Sequence, residues 1–126
     1  MILGLGMDLC PIERIATAIE KRRFFERVYT PREQQRLESL SLEKRRQEAA
    51  AGLFAAKEAV AKALGTGFTD FGFADIEILP DALGKPQCQL TGRAETRFKA
   101  LGGQHVMITI THDGGMAAAT AIIEGA

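Results

Sequence analysis

The stretch Leu53–Gly67 reads L-F-A-A-K-E-A-V-A-K-A-L-G-T-G and places two lysines, Lys57 and Lys62, around one carboxylate, Glu58. Ionised groups beside apolar positions need a partner to stay charged. Two cations bracketing a carboxylate suit a metal ion together with a phosphate chain. The carboxylate takes the metal, and the ammonium groups meet phosphate oxygens that the metal leaves uncovered. A simple i,i+4 pair between Glu58 and Lys62, worth roughly 0.2–0.5 kcal/mol, is the plainer reading of the same spacing. A second carboxylate, Asp8, closes the run Gly4-Leu5-Gly6-Met7-Asp8. Either it caps the helix that follows, or it joins Glu58 in a sparse hard-oxygen site suited to Mg2+. The two glycines before it do not make a dinucleotide fingerprint, since no third glycine follows and Pro11 interrupts.

These side chains need elements to carry them. Ile2–Asp8 has the apolar, β-prone character of a strand, and Pro11 suits the first turn of a helix on which Ile12, Ile15, Ala16 and Ile19 form one face. Thr30-Pro31-Arg32-Glu33 is a capping box with proline at the first helical position, predicting a helix to about Leu40. Ser41 can cap the next helix, the longest in the chain, which runs to Leu64 and stops at Gly65. On it Leu53, Val60 and Leu64 share a stripe with Lys57, while Glu58 sits one step around between Phe54 and Ala61. Its many alanines leave the backbone open to close approach by a neighbour.

Phe73–Leu79 reads as a strand, Pro80–Pro86 as a turn and Gln87–Leu90 as the returning strand. Thr91 can cap a helix ending near Leu101, and Val106–Thr111 and Met116–Glu124 are the last strands, joined across His112-Asp113-Gly114-Gly115. Strands and helices do not alternate strictly. The expectation is an α+β fold, an antiparallel-rich sheet packed with one long and several shorter helices.

Composition sets bounds. A chain of 126 residues is expected to form one domain over 1–126. Sixteen basic and sixteen acidic residues balance, so nothing global points to nucleic acid. Lys21, Arg22, Arg23, Arg27, Arg32 and Arg36 nevertheless make a local basic stretch that can steer an acidic partner or form a solvated helix face. Cys10 and Cys88 are too few for a disulfide framework or a zinc site. No leader pattern and no long apolar run are present, so the expected setting is cytoplasmic and soluble, without a membrane.

F-A-A-K-E-A-V-A-K followed by G-T-G resembles the [WF]-x-x-K-E-x-x-x-K signature of the 4'-phosphopantetheinyl transferases, most of all their short bacterial group, the holo-acyl-carrier-protein synthases. Gly6-Met7-Asp8-Leu9 is similar to the family's first motif, G-[IVL]-D-[ILV]. Gly84-Lys85-Pro86 is similar to its G-K-P turn, Thr109-Ile110-Thr111-His112 to its [ST]-[IL]-[ST]-H strand, and Met116–Glu124 to its A-x-A-x-V-I-E ending. The likeness runs from Gly6 to Glu124. One departure is Met107, where the family often has histidine, with His105 two positions earlier.

The resemblance implies the family's fold and a Mg2+-dependent transfer of 4'-phosphopantetheine from coenzyme A to a serine of apo-acyl-carrier protein, in support of fatty acid biosynthesis. It implies Asp8 and Glu58 as metal ligands, and Lys62 at the coenzyme pyrophosphate with Lys57 against the same phosphate and pantetheine region. Gly84, Lys85, Pro86, Thr109 and His112 would be further coenzyme contacts, and Glu58 or a metal-bound water would accept the serine proton. Arg14, with the cluster that includes Arg23 and Arg27, would dock the acidic carrier. A homotrimer with sites between subunits is implied too, so that Thr109 and Lys85 can serve a neighbour. Two other readings stand beside this one: modification of polyketide or peptidyl carrier proteins, and a coenzyme A-binding module without catalysis.

Overall fold

A computed structural model describes residues 1–126. Strand β1 (Ile2–Pro11) leads into four helices, α1 (Ile12–Ala18), α2 (Arg22–Val28), α3 (Pro31–Ser39) and α4 (Glu43–Ala63). After a short 3-10 turn at Phe73–Asp75 come β2 (Ile76–Pro80), β3 (Pro86–Leu90), α5 (Gly92–Ala100), β4 (Gly103–Asp113) and β5 (Met116–Gly125). Three strands form an antiparallel sheet in the order β1-β5-β4, and β2 with β3 makes a separate antiparallel hairpin. The expected α+β architecture, antiparallel throughout with one long helix, is what the chain adopts.

The centre is α4 lying on the three-stranded sheet. From Ala50 onward it is buried nearly all round, and the strand beneath, β5, turns Ala117, Ala119, Ala121 and Ile123 inward with period two. Small residues on both surfaces let the layers meet closely. On β1 the approach is closer still: a Cβ on Gly6 would overlap the Ala59 carbonyl oxygen and stand 2.8 Å from the Ala63 nitrogen, and one on Gly4 would overlap the Ala63 carbonyl oxygen. The glycines ahead of Asp8 therefore press β1 against the helix.

Several boundaries differ from expectation. Pro11 is the last residue of β1, paired with Met116, and α1 starts after it with no side chain capping its N-terminus, Asp8 included. The helix expected through Ile19 stops at Ala18, and α2 follows as a separate helix that the sequence did not announce, since no side chain caps it. The Thr30–Glu33 capping box is formed in both directions. Ser41 does not cap α4, which begins after Leu42. Residues 73–75 turn before β2 instead of extending it. Gly114 and Gly115, with φ of 57° and 79°, make the two-residue link between β4 and β5. No helix is long and apolar enough to cross a membrane.

Candidate active site

Asp8 shares the α4-facing side of β1 with Gly4, Gly6 and the buried Cys10, whose thiol donates to the Ala51 carbonyl oxygen at 3.6 Å. The glycine contacts bring that side down onto the turn of α4 that holds Glu58 and Lys62. Lys62 Nζ donates to Asp8 Oδ1 at 3.2 Å and to the Met7 carbonyl oxygen at 3.0 Å. Glu58 is near enough to feel the same groups. Burial and the negative charge of Asp8 push its carboxyl above the ordinary glutamate range, against the pull of Lys62 and of Arg14 from α1. Two carboxylates close enough that one raises the proton affinity of the other form a locus that favours a cation.

That locus fits a small hard divalent ion. Its donors are carboxylate oxygens, and no third His, Cys, Asp or Glu gathers with them. Two protein oxygens leave most of the shell to water and substrate phosphate, as Mg2+ prefers, whereas a structural zinc site would need four N or S donors. Lys62 is 53% exposed against 16% for Asp8, so its ammonium stands at the open side of the pair.

Lys57 is corrected. Although it precedes Glu58 directly, its side chain is fully buried and its three donors are used inside the fold. Nζ donates to Glu33 Oε1 at 2.6 Å, to the Val28 carbonyl oxygen at 2.7 Å and to the Phe73 carbonyl oxygen at 3.1 Å. Burial pushes its ammonium below the ordinary lysine range, and Glu33 opposes that. No donor is left for a coenzyme phosphate. The signal was in the helical wheel, where Lys57 lies on the stripe of Leu53, Val60 and Leu64. The expected bond from Lys62 along the helix to Glu58 is likewise replaced by the one to Asp8.

Gly84, Lys85, Pro86, Thr109 and His112 all line one cavity of about 930 Å3 between α4, β4 and the β2–β3 hairpin. Arg36 and Arg45 line it as well, giving it a basic wall suited to phosphate. Sequence reading had set Arg36 in the basic stretch and passed over Arg45, whose charge run carries no spacing signal. His112 Nδ1 stands 3.7 Å from Glu48 Oε2 at the cavity edge. Asp8, Glu58 and Lys62 do not line this cavity. Leu53, the last α4 residue in its lining, lies about 7.5 Å along the helix from Glu58 at about 1.5 Å per residue. Neither His105 nor Met107 lines it. Arg14, Arg23 and Arg27 are exposed on α1 and α2, with Arg27 over the Phe24 ring at 5.9 Å.

Residues 4–121 match the family profile described as the 4'-phosphopantetheinyl transferase superfamily. A holo-[acyl-carrier-protein] synthase of Clostridium tetani is 43% identical over 126 residues, covering 99% of this chain and 98% of its own. The crystal structure of a holo-ACP synthase from Plasmodium yoelii superposes with a TM-score of 0.87 at 29% identity, covering 100% of this chain and 97% of that one. A holo-(acyl-carrier-protein) synthase from Bacillus anthracis in complex with CoA (3',5'-ADP) superposes with a TM-score of 0.83 at 33% identity, covering 100% and 99%. Carboxylates paired across β1 and α4, a lysine at their open side and likeness along the whole length agree: this chain belongs to the 4'-phosphopantetheinyl transferase superfamily.

Proposed function

We infer that the chain is a holo-acyl-carrier-protein synthase, transferring 4'-phosphopantetheine from coenzyme A to a serine hydroxyl of apo-acyl-carrier protein and releasing adenosine 3',5'-bisphosphate. The observation that carries this reading is the Asp8–Glu58–Lys62 cluster in a chain that matches the relatives from end to end. Asp8 and Glu58 would hold Mg2+, which when bound supplies positive charge against the pyrophosphate. Lys62 faces the same oxygens from the rim. Glu58, whose carboxyl is already pushed toward proton uptake, accepts the serine proton as the oxygen attacks the β-phosphorus. The rest of the rate comes from holding serine and phosphate in line, as in phosphoryl transfers generally.

The basic cavity is suited to the nucleotide end of coenzyme A, with Gly84, Lys85, Pro86, Thr109 and His112 as contacts. Since the metal carboxylates lie outside it, a complete site draws its cavity and its carboxylates from two copies of the chain. The outer face of the sheet supports such an assembly. Leu5, Met7 and Leu9 are more than half exposed there, and Leu5, Ile122 and Met107 line up across the three strands. An apolar strip of this kind marks an interface. A second copy fits it best, in the homotrimer that the resemblance implies.

Arg14, Arg23 and Arg27 form the docking surface for the acidic carrier. Charge reversal at Arg14 is expected to raise KM for the carrier far more than for coenzyme A, and equal rises would remove Arg14 from the docking surface. The proposed setting is the cytoplasm, in keeping with two unpaired cysteines, and the proposed role is supply of holo-carrier for fatty acid synthesis.

The direct test is intact-mass spectrometry of apo-acyl-carrier protein incubated with the protein and coenzyme A. A gain of one phosphopantetheine, lost with a chelator and with Glu58→Gln, is expected. Coenzyme binding without any gain would mark a binding module instead.

A further inference from the structure

Lys57 and Glu33 form a hub that the chemistry above does not use. Besides accepting from Lys57, Glu33 Oε1 accepts from the Thr30 backbone N–H at 2.8 Å, and Oε2 accepts from the Ile78 N–H at 2.7 Å. With the Val28 and Phe73 carbonyl groups, one buried pair joins the end of α2, the start of α3, the turn before β2, and β2 itself to the middle of α4. We propose that the Lys57–Glu33 pair is a positioning device for the transfer reaction, holding the carrier-docking helix α2 and the hairpin of the coenzyme cavity in register with Glu58. The proposal rests on the transferase reading given above.

Three features favour placement over general stability as the effect. Lys57 and Glu58 are consecutive, about 100° apart around the helix. Tethering Lys57 inward fixes the rotation of α4 and turns Glu58 out toward Asp8. Helix α2 spans seven residues and lacks a side-chain cap, so its own hydrogen bonds place it weakly. Its position is set by Phe25 and Val28 in the core, by the Lys57 bond to Val28 at its C-terminal end and by Tyr29, whose hydroxyl donates to the Ala50 carbonyl oxygen at 2.7 Å. Arg23 and Arg27 ride on that helix. Finally, a buried ion pair is a weak source of stability compared with an apolar filling of the same space. What it supplies here is direction, through four hydrogen bonds to four segments beside the one within the pair.

The test is steady-state kinetics with each substrate varied in turn, for the wild type and for Lys57→Met, together with hydrogen exchange by mass spectrometry. Lys57→Met cuts the α2 tether but leaves the Glu33 bond to β2. KM for the carrier is expected to rise about tenfold or more, with KM for coenzyme A within about threefold of wild type. Exchange should quicken in residues 22–30 and 73–75 and not in the sheet. A rise confined to the coenzyme KM would overturn the proposal, because the ammonium would then be meeting phosphate. A carrier KM unchanged from wild type, or exchange quickened everywhere, would overturn it in favour of a purely structural role. Should Lys57→Met fail to fold, Lys57→Gln, which is polar but shorter and uncharged and so loses the tether to Val28, is expected to show the same split. If neither folds, the pair is a folding requirement and the positioning role falls. A wild-type protein that transfers nothing overturns the transferase reading and this role with it, whereas a working wild type without the split overturns this role alone.

Discussion

Lys62 bonds across to β1, 3.2 Å from Asp8 Oδ1, instead of along its own helix to Glu58. The consequence is an asymmetric pair of carboxylates. Asp8 has its ammonium partner, whereas Glu58 carries a raised proton affinity and lacks a direct one. The lysine that tethers β1 to α4 is also the one at the open side, so the residue that joins the two elements is the one proposed to face the substrate.

Lys62→Met is therefore expected to separate catalysis from stability. The ion pair is half exposed, and pairs of that kind contribute about 0–1 kcal/mol. Loss of a cation facing developing charge costs about 10²–10³ in rate. The transfer assay should fall by that factor while the urea midpoint barely moves. A large loss of stability with little loss of rate would make Lys62 a structural residue.

Gly6 gives a prediction about assembly of the cluster. Gly6→Ala drives a methyl group into the Ala59 carbonyl oxygen, with backbone on both sides and nothing flexible to yield. Overpacking of this kind typically costs about 1–3 kcal/mol. Since the strand must lift from α4, Asp8 leaves Glu58 as well, and Mn2+ affinity followed by electron paramagnetic resonance should drop. Gly72→Ala is the control, because a Cβ there meets nothing and its backbone angle is ordinary. Equal behaviour of the two variants would show that the close approach is not what holds the cluster.

How much of this was legible in the sequence follows from how local each signal is. The Thr30–Glu33 capping box and the helix formers around Lys57 act within a few residues, and each formed as read. The link expected across residues 112–115 narrowed to Gly114 and Gly115 as β4 ran on through Asp113. Helix α2 escaped because its start carries charges and aromatics in place of a cap; tertiary packing and bonds hold it. The pairing of Asp8 with Glu58 spans fifty positions and has no local trace, so residue chemistry left it open beside a capping role and the resemblance chose it. That same resemblance misplaced Lys57, where the apolar stripe was the better guide. The basic wall of the cavity, Arg36 and Arg45, is assembled from α3 and α4 by their packing, which no spacing in the chain encodes.

The raised Glu58 carboxyl sets a pH dependence. Its folded pKa lies above the unfolded value, so the folded state binds the proton more tightly and stability falls as pH rises through that window. The window begins near the ordinary glutamate value of about 4.3 and ends at the raised one. Without metal, the melting temperature of the wild type should decline across it relative to Glu58→Gln, which has no such titration. Added Mg2+ should raise the wild-type melting temperature at neutral pH, more than that of the variant, and the gain should fade as protons compete at lower pH. A gain equal in both proteins would take Glu58 out of the metal site.

Separation of the cavity from the carboxylates leads to a complementation experiment. If each complete site takes its carboxylates from one copy and its cavity from another, two inactive variants can rescue each other. Asp8→Ala removes one half and Lys85→Glu, with His112→Ala, the other. Refolded together at equal amounts, the chains mix at random, and a given site has both halves intact with probability one half times one half. About a quarter of wild-type activity should return in a closed assembly of this kind. The recovery should vanish when Met7→Asp on the apolar sheet face is added to both chains, since the charge would be buried without a partner between copies. A site built within one copy predicts no recovery at any mixing ratio, and in that case the cavity and the carboxylates of a single chain meet the same ligand.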